Sequence, residues 1–474
     1  MTAQELESKV WEKAVEFGIL TQAMKEKEGR RGSPNAMKRS NVSDLSFADA
    51  KAYFGYVRPE ENPSGAYYDL SFVVFPQKDG GKCIVAIVVG SAGYQRDYEL
   101  ASTPGARRLF TKLTNNDGCS FIKNDFTDID SPERELLEKV AEEEDLNPLQ
   151  SVTDTYSKLL LAARIVDPDT EFDIIAAWLA QYAKLRNWGT KGQIRKQETA
   201  IRPYLNTPKA DIQKDILKLL ESRRFVVLQG APGTGKTYNA LEISRKYAQT
   251  IFTQFHAETN YSDFVEGISP KLNDDSLKYI STKGKLIEAI EAADKWKGKR
   301  VLLIIDEINR ANLANVLGPV FYLFENQTGA REVNLRIGEK EISRLPDNLD
   351  VIATMNTADR SLAVVDFALR RRFAWYTIRP QEIVPSENQV FHKELFGKFC
   401  DIFDRYASDD ELNLQPGPSY FLTSKEDADA IMKDRIVYEL MPLVKEYLAE
   451  GLMRKAGDSF AQLFYEETGK YLYE

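Results

Sequence analysis

Histidine is nearly missing from this chain, with two in 474 residues. That excludes a His-rich zinc site and an HNH-type nuclease, both of which need more. Cysteine is almost as scarce: Cys83, Cys119 and Cys400 lie far apart, with no CxxC pair. A Cys₄ zinc site and a disulfide framework are therefore excluded, and the usage suits a reducing, cytoplasmic setting. No apolar run reaches the roughly 18 residues a membrane-spanning helix needs, so no membrane partner is expected. The N-terminal stretch MTAQELESKVWEKAVEFGIL is charged and amphipathic and lacks the apolar core of a signal peptide. An excess of positive charge is also lacking. The net charge is -9; residues 1–200 carry 26 basic against 31 acidic side chains, and the remainder 37 against 41. Any contact with nucleic acid must come from a local patch.

What is present is ordinary globular material, 43% apolar and 28% charged. At about 100–200 residues per domain the length predicts two to four domains. Leu6, Val10, Ala14, Phe17 and Leu20 recur at steps of three and four, which predicts a helix over 1–29. Residues 30–40 are basic with Gly, Ser and Pro and predict a loop. Strands are expected at 67–75 and 82–90, joined by a hairpin turn at Lys78, Asp79, Gly80 and Gly81. Residues 128–145 predict an acidic loop and helix, and 151–187 a helical stretch with Leu159, Leu160, Ile174, Ile175, Trp178, Leu179 and Tyr182 in the core. These elements give an α+β domain over 1–190. The segment 184–203 is the most basic and contains Gly189, Gly192 and Pro203, so 191–207 is expected to be a linker.

From about residue 205 the pattern changes. A helix at 210–222 leads into an apolar strand at 225–228, then a glycine-rich turn and another helix. Further apolar runs at 250–255, 301–305 and 350–354 alternate with helices, which predicts a mostly parallel sheet covered on both faces. The expected divisions are an α/β nucleotide-binding part over 208–380 and a helical lid over 381–474.

Gly230, Ala231, Pro232, Gly233, Thr234, Gly235, Lys236 and Thr237 fit G-x-x-x-x-G-K-[ST] at every fixed position. Glycines let backbone N–H groups close around a phosphate, and the helix that follows adds its dipole. Lys236 is expected to neutralise the β- and γ-phosphates, and the Thr237 hydroxyl to ligate Mg²⁺. About 70 residues on, VLLII ends in Asp306 and Glu307. This is the Walker B pattern: Asp306 holds the metal through water and Glu307 polarises the attacking water. A third apolar strand, DVIATM, ends in Asn356, placed to orient that water. Asp359, Arg360 and Asp366 follow, then Arg370, Arg371 and Arg372 before Phe373. Three consecutive arginines are either a solvated helix end or a cation lent to a neighbouring subunit's nucleotide. The second works only in an oligomer.

The stretches GAPGTGKT, LLIIDEINRANL, ATMNTADRSLAVVDFALRRRF and QFHAETNYSDFVEGISP together resemble the McrB family, AAA+ GTPases of modification-dependent (methylcytosine-specific) restriction systems. Residues 355–361, MNTADRS, are the most specific of these, and the resemblance covers roughly 205–474. It implies an α/β P-loop AAA+ module with a C-terminal helical lid, preceded by an α+β N-terminal domain. It also implies a hexameric ring that hydrolyses GTP with Mg²⁺, a separate McrC-type nuclease subunit, and recognition of methylated DNA through residues 1–190. On the family's pattern the phosphate-loop pair falls on Lys236 and Thr237, and the Walker B pair on Asp306 and Glu307. The signature residues fall on Asn356, Asp359 and Arg360, and the trans-acting arginines on Arg371 and Arg372. His256 matches a family position near the second strand, with a core or capping histidine as the alternative.

Two departures stand out. A GHSYF-like stretch of the family reads Gly417, Pro418, Ser419, Tyr420, Phe421 here, so a histidine role there is absent. Residues 1–200 carry no recognisable target-recognition motif, so DNA reading rests on analogy. GTP is also implied by the resemblance; the Asn-Lys-x-Asp guanine motif is missing, and ATP is the alternative. In the front domain, Tyr53, Phe54, Tyr56, Tyr67, Tyr68, Tyr94 and Tyr98 either line a pocket for an extruded base or fill a core. Arg96, Arg107 and Arg108 are the candidates for phosphate contact. No PD…(D/E)xK constellation is evident, so a nuclease must be a partner. The competing functions are an ATP-driven AAA+ remodeller whose front domain grips protein, and a nucleotide-binding switch. The presence of Glu307 and Asn356 argues against a switch.

Overall fold

In the front half, short runs of apolar residues build one sheet. Strands β1 (Met37–Asn41), β2 (Tyr53–Val57), β3 (Leu70–Phe75), β4 (Cys83–Val89), β5 (Ser120–Ile122) and β6 (Leu160–Val166) pair antiparallel in the order β1-β2-β3-β4-β6-β5. Every residue of β3 and β4 is buried, because both faces are covered. Phe72, Val74, Val85 and Ile87 share one core with α1 (Ala3–Glu16). Val73, Phe75, Ile84 and Ala86 share another with Leu136 and Val140 of α2 (Arg134–Glu142). Helix α3 (Phe172–Leu185) adds Ile175, Trp178 and Tyr182 to the first core. The β3–β4 turn needs left-handed backbone, which Gly80 (φ 99°) and Gly81 (φ 102°) supply.

This computed structural model describes all residues except 21–34, 50, 62–63, 115–117, 206–210, 274–275, 325–334, 338–339, 359–366 and 474. It divides into two units, Met1–Pro208 with Asp401–Ser408, and Lys209–Cys400 with Asp409–Glu474.

Four expectations for the front half differ from what is found. The first helix stops at Glu16, and residues 21–29 lie outside the described residues. Part of the 30–40 loop is strand β1, paired along its length with β2. The supposedly helical 151–187 contains β6, an inner strand between β4 and β5. Its sequence LLAARIV is apolar in both periodicities, and pairing with β4 decides between them. The linker is largely helix α4 (Lys191–Ile201), started by a Thr190 capping box. The buried amide of Gln197 ties it down, donating to the carbonyls of Phe17 and Trp188, both at 2.7 Å.

In the second unit, β7 (Phe225–Gly230), β8 (Gln249–Gln254), β9 (Val301–Asp306), β10 (Leu349–Asn356) and β11 (Ala374–Thr377) form a parallel sheet ordered β11-β7-β10-β9-β8. Alternate residues serve opposite faces. Val226, Leu228, Leu302, Ile304 and Ile352 pack on α5 (Ile212–Arg223) and α6 (Lys236–Ser244). Val227, Leu303, Ile305 and Val351 pack on α7 (Lys285–Lys295). The parallel order brings the ends of β7, β9 and β10 side by side, the usual place for a ligand in such sheets. The C-terminal part is helical, with α8 (Ala428–Arg435), α9 (Met441–Ala449) and α10 (Gly457–Thr468). There Phe399 packs its ring against Phe421, Phe460 and Phe464 at 5.3, 5.6 and 5.9 Å. Among the described residues, no helix is long and apolar enough to cross a membrane.

Candidate functional site

The turn from β7 into α6 needs two left-handed residues, and Gly233 (φ 77°) and Gly235 (φ 86°) occupy them. The turn is pinned from inside by the Thr234 hydroxyl, which donates to the Ala231 carbonyl at 2.9 Å. The Lys236 ammonium is buried within the loop and donates to the carbonyls of Gly230 and Ala231, both at 2.9 Å. A cation is thus held among backbone groups at the N-terminus of a nine-residue helix, the arrangement that receives phosphate.

Thr237, one residue on, reaches across to β9. Its hydroxyl donates to Asp306 Oδ1 at 2.8 Å. Residues 69 apart in sequence therefore meet as one pair of candidate oxygen ligands. Among the described residues there is no cluster of three or more His, Cys, Asp or Glu that could hold a metal. A hydroxyl and a carboxylate beside a phosphate cradle fit Mg²⁺, which completes its shell from phosphate and water.

Glu307 follows Asp306 in the left-handed region, φ 53° and ψ 48°. Its carboxylate pairs with Arg310 at 3.4 Å. Asn356 lies opposite Gly230 in the β10–β7 register, which puts it beside the phosphate loop. Its Oδ1 accepts the Ala358 N–H at 3.2 Å, and its carbonyl accepts from the Asn309 amide at 3.2 Å. Asp359 and Arg360, and Asp366 as well, lie outside the described residues.

Arg371 and Arg372 are set back from this site. Arg371 and Arg372 end the short helix Phe367–Arg372. The next strand enters with Ala374 opposite Val226, four residues before Gly230, or about 13 Å back along the sheet. Arg371 is exposed, and Arg372 lays its guanidinium over the Phe321 ring at 5.6 Å. His256 is exposed in the turn after β8 and belongs to no core. A cavity of about 530 Å³, lined by Tyr247, Trp296, Arg300 and Asp350 among others, opens where β8, β9 and β10 begin. It is therefore remote from the phosphate loop.

Two features of the site were not anticipated. Thr354, two residues before Asn356 on β10, donates to Asp306 Oδ1 at 2.7 Å and accepts the Glu307 N–H at 3.0 Å. A lone hydroxyl between the apolar residues Ala353 and Met355 was the available clue. The second is the 417–419 segment, which lies on the phosphate loop. The Gly417 N–H donates to the Pro232 carbonyl at 2.9 Å and the Ser419 N–H to the Gly233 carbonyl at 3.2 Å. A β-carbon on Gly417 would stand 2.0 Å from the Gly233 carbonyl carbon, so only glycine fits.

In the front unit the aromatics divide. Phe54 and Tyr56 are core, while Tyr68 and Tyr98 are 40% and 58% exposed. Tyr67 bonds Ser71 at 2.9 Å beneath the Arg39 guanidinium. Arg107 donates to the Lys123 carbonyl, and Arg108 to the carbonyls of Asp404 and Ala407. Arg96 pairs with Glu60 at 3.6 Å.

Residues 225–373 match the AAA domain, dynein-related subfamily. Over 260 residues the chain is 33% identical to the Type IV methyl-directed restriction enzyme EcoKMcrB subunit of Escherichia coli K12, covering 49% of this chain and 55% of that protein. It is 27% identical over 224 residues to the Type II restriction enzyme BsuMI component YdiS of Bacillus subtilis 168, covering 39% and 65%. It is 26% identical over 231 residues to pachytene checkpoint protein 2 of Saccharomyces cerevisiae, covering 41% and 38%. The chain thus spans about half the length of the curated relatives it matches. The fold is the one the resemblance implied, an α/β P-loop AAA+ module with a helical C-terminal part, behind an α+β region. An AAA domain binds nucleotide together with a metal ion.

Proposed function

We propose that this chain, an McrB-like AAA+ protein, hydrolyses GTP in a ring of its own copies and drives a separate McrC-type nuclease for restriction. Residues 1–190 recognise modified DNA in this reading. The observation that carries it is the 2.8 Å pairing of Thr237 with Asp306 at the mouth of the phosphate loop, with Glu307 next in the chain. Lys236 and the backbone N–H groups of 233–237 would hold the β- and γ-phosphates, and Thr237 and Asp306 would hold Mg²⁺. The ion, when bound, offsets charge on the phosphate oxygens. Glu307 accepts a proton from the attacking water, and Asn356 orients that water. Asp359 and Arg360 join this machinery by the family's pattern. Arg371 and Arg372 serve a neighbouring copy, which is supported by their distance from their own loop. The restriction role is supported by likeness to the EcoKMcrB subunit and the BsuMI component.

The test is hydrolysis of GTP and ATP side by side, with and without methylated DNA and an McrC-type partner. GTP turnover that rises with the partner is expected. Glu307→Gln should retain nucleotide and lose at least about 100-fold in kcat, whereas Lys236→Ala should lose nucleotide binding itself. ATP preference with no DNA binding would replace this reading with a protein remodeller.

A further inference from the structure

Thr354 is a polar residue two places before the end of a buried strand. It is 1% exposed, and the strand around it, LDVIATMN, is buried throughout. Its hydroxyl makes two bonds of opposite sense, accepting the Glu307 N–H at 3.0 Å and donating to Asp306 Oδ1 at 2.7 Å. A hydroxyl is the smallest side-chain group that can do both at once. The same Asp306 oxygen receives the Thr237 hydroxyl at 2.8 Å. One relay therefore runs from the Glu307 backbone through Thr354 and Asp306 to the first turn of α6.

The Glu307 backbone needs such a hold. At φ 53° it sits where side chains other than glycine are uncommon, and such a conformation persists only when its surroundings over-determine it. The direction of the Glu307 side chain follows from that backbone. An unpaired N–H there would be free to rotate towards ordinary backbone and swing the carboxylate away.

We propose that Thr354 is a positioning residue for hydrolysis: its hydroxyl fixes the backbone of Glu307 to the carboxylate of Asp306 and so aims the Glu307 side chain. This rests on the hydrolase reading above. Thr354 touches no nucleotide in this account and acts only through its two acidic neighbours.

Thr354→Val keeps the shape and removes the hydroxyl; Thr354→Ser keeps the hydroxyl. In the valine variant kcat for GTP should fall about 10- to 100-fold with KM changed less than about threefold, and the serine variant should stay within about threefold of wild type. Hydrogen exchange of the nucleotide-free protein gives a readout independent of turnover. The Glu307 amide should exchange at least about tenfold faster in the valine variant and remain protected in the serine variant. Should the valine variant fail to fold, Thr354→Ala is read by the same two measurements. Wild-type kcat in the hydroxyl-free variant, unchanged exchange at Glu307, or equal losses in the serine and valine variants would each overturn the proposal. A wild-type protein that hydrolyses neither GTP nor ATP would instead defeat the hydrolase reading, and the exchange measurement alone would then decide whether Thr354 holds Glu307.

Discussion

At the scale of single residues, position relative to charge decides behaviour. Asp97 is 1% exposed, and burial alone would push its carboxyl pKa upward. The Arg186 and Arg58 guanidiniums beside it, with the Leu70 N–H donating at 2.9 Å, outweigh burial and hold it below the usual carboxylate range. A carboxyl whose folded pKa is depressed stabilises fully above its unfolded value, near about 3.9, and loses that contribution as pH falls through the folded value. Asp97→Asn takes the carboxylate from the buried Arg186 guanidinium, while Arg58 keeps Asp69 at 3.4 Å. It should destabilise the front unit by about 3–5 kcal/mol, measured by denaturant unfolding at neutral pH. The difference from wild type should shrink below about pH 4. The same scale separates what was legible. Lys236, Thr237, Asp306 and Glu307 could be proposed from sequence because phosphate chemistry fixes their types and spacing. Thr354 was not, because its role depends on two partners 47 and 48 residues away.

At the scale of elements, the 417–419 segment is the informative case. Its sequence showed only a missing histidine; the fold lays it against the phosphate loop by two backbone hydrogen bonds. Gly417 has φ -74°, so its backbone is open to any residue and only the close approach to Gly233 demands glycine. Gly417→Ala should therefore leave the helical part folded but lift the segment from the loop. The expected result is nucleotide affinity weakened at least about tenfold, by titration with a fluorescent GTP analogue, with a melting temperature within a few degrees of wild type. Unchanged affinity would show that the contact is incidental to binding. Strand β6 and helix α4 teach the complementary lesson. LLAARIV fits a buried helix or a buried strand equally until β4 and β5 are beside it. Basic residues with two glycines looked like a linker until Gln197 found buried carbonyl partners.

At the scale of the whole molecule, Arg371 and Arg372 belong to the second unit yet stand back along its sheet from that unit's own phosphate loop. If they act in a neighbouring copy, a mixture of two inactive variants should work. Arg372→Ala and Glu307→Gln should each lose at least about 100-fold in hydrolysis. Equimolar co-assembly should restore activity at the roughly one interface in four that combines an intact Glu307 with an intact neighbouring arginine. A mixture no more active than its components would sink the trans assignment. The sequence by itself determined the sheet type of the second unit and the choice of candidate phosphate-binding residues, because periodicity and phosphate geometry are local constraints on residue type and spacing. Tertiary structure alone decided the strand at 160–166, the seating of Gly417 on the loop and the Thr354 relay. Each of these depends on which distant backbone group comes within hydrogen-bonding distance, and linear spacing carries no record of that.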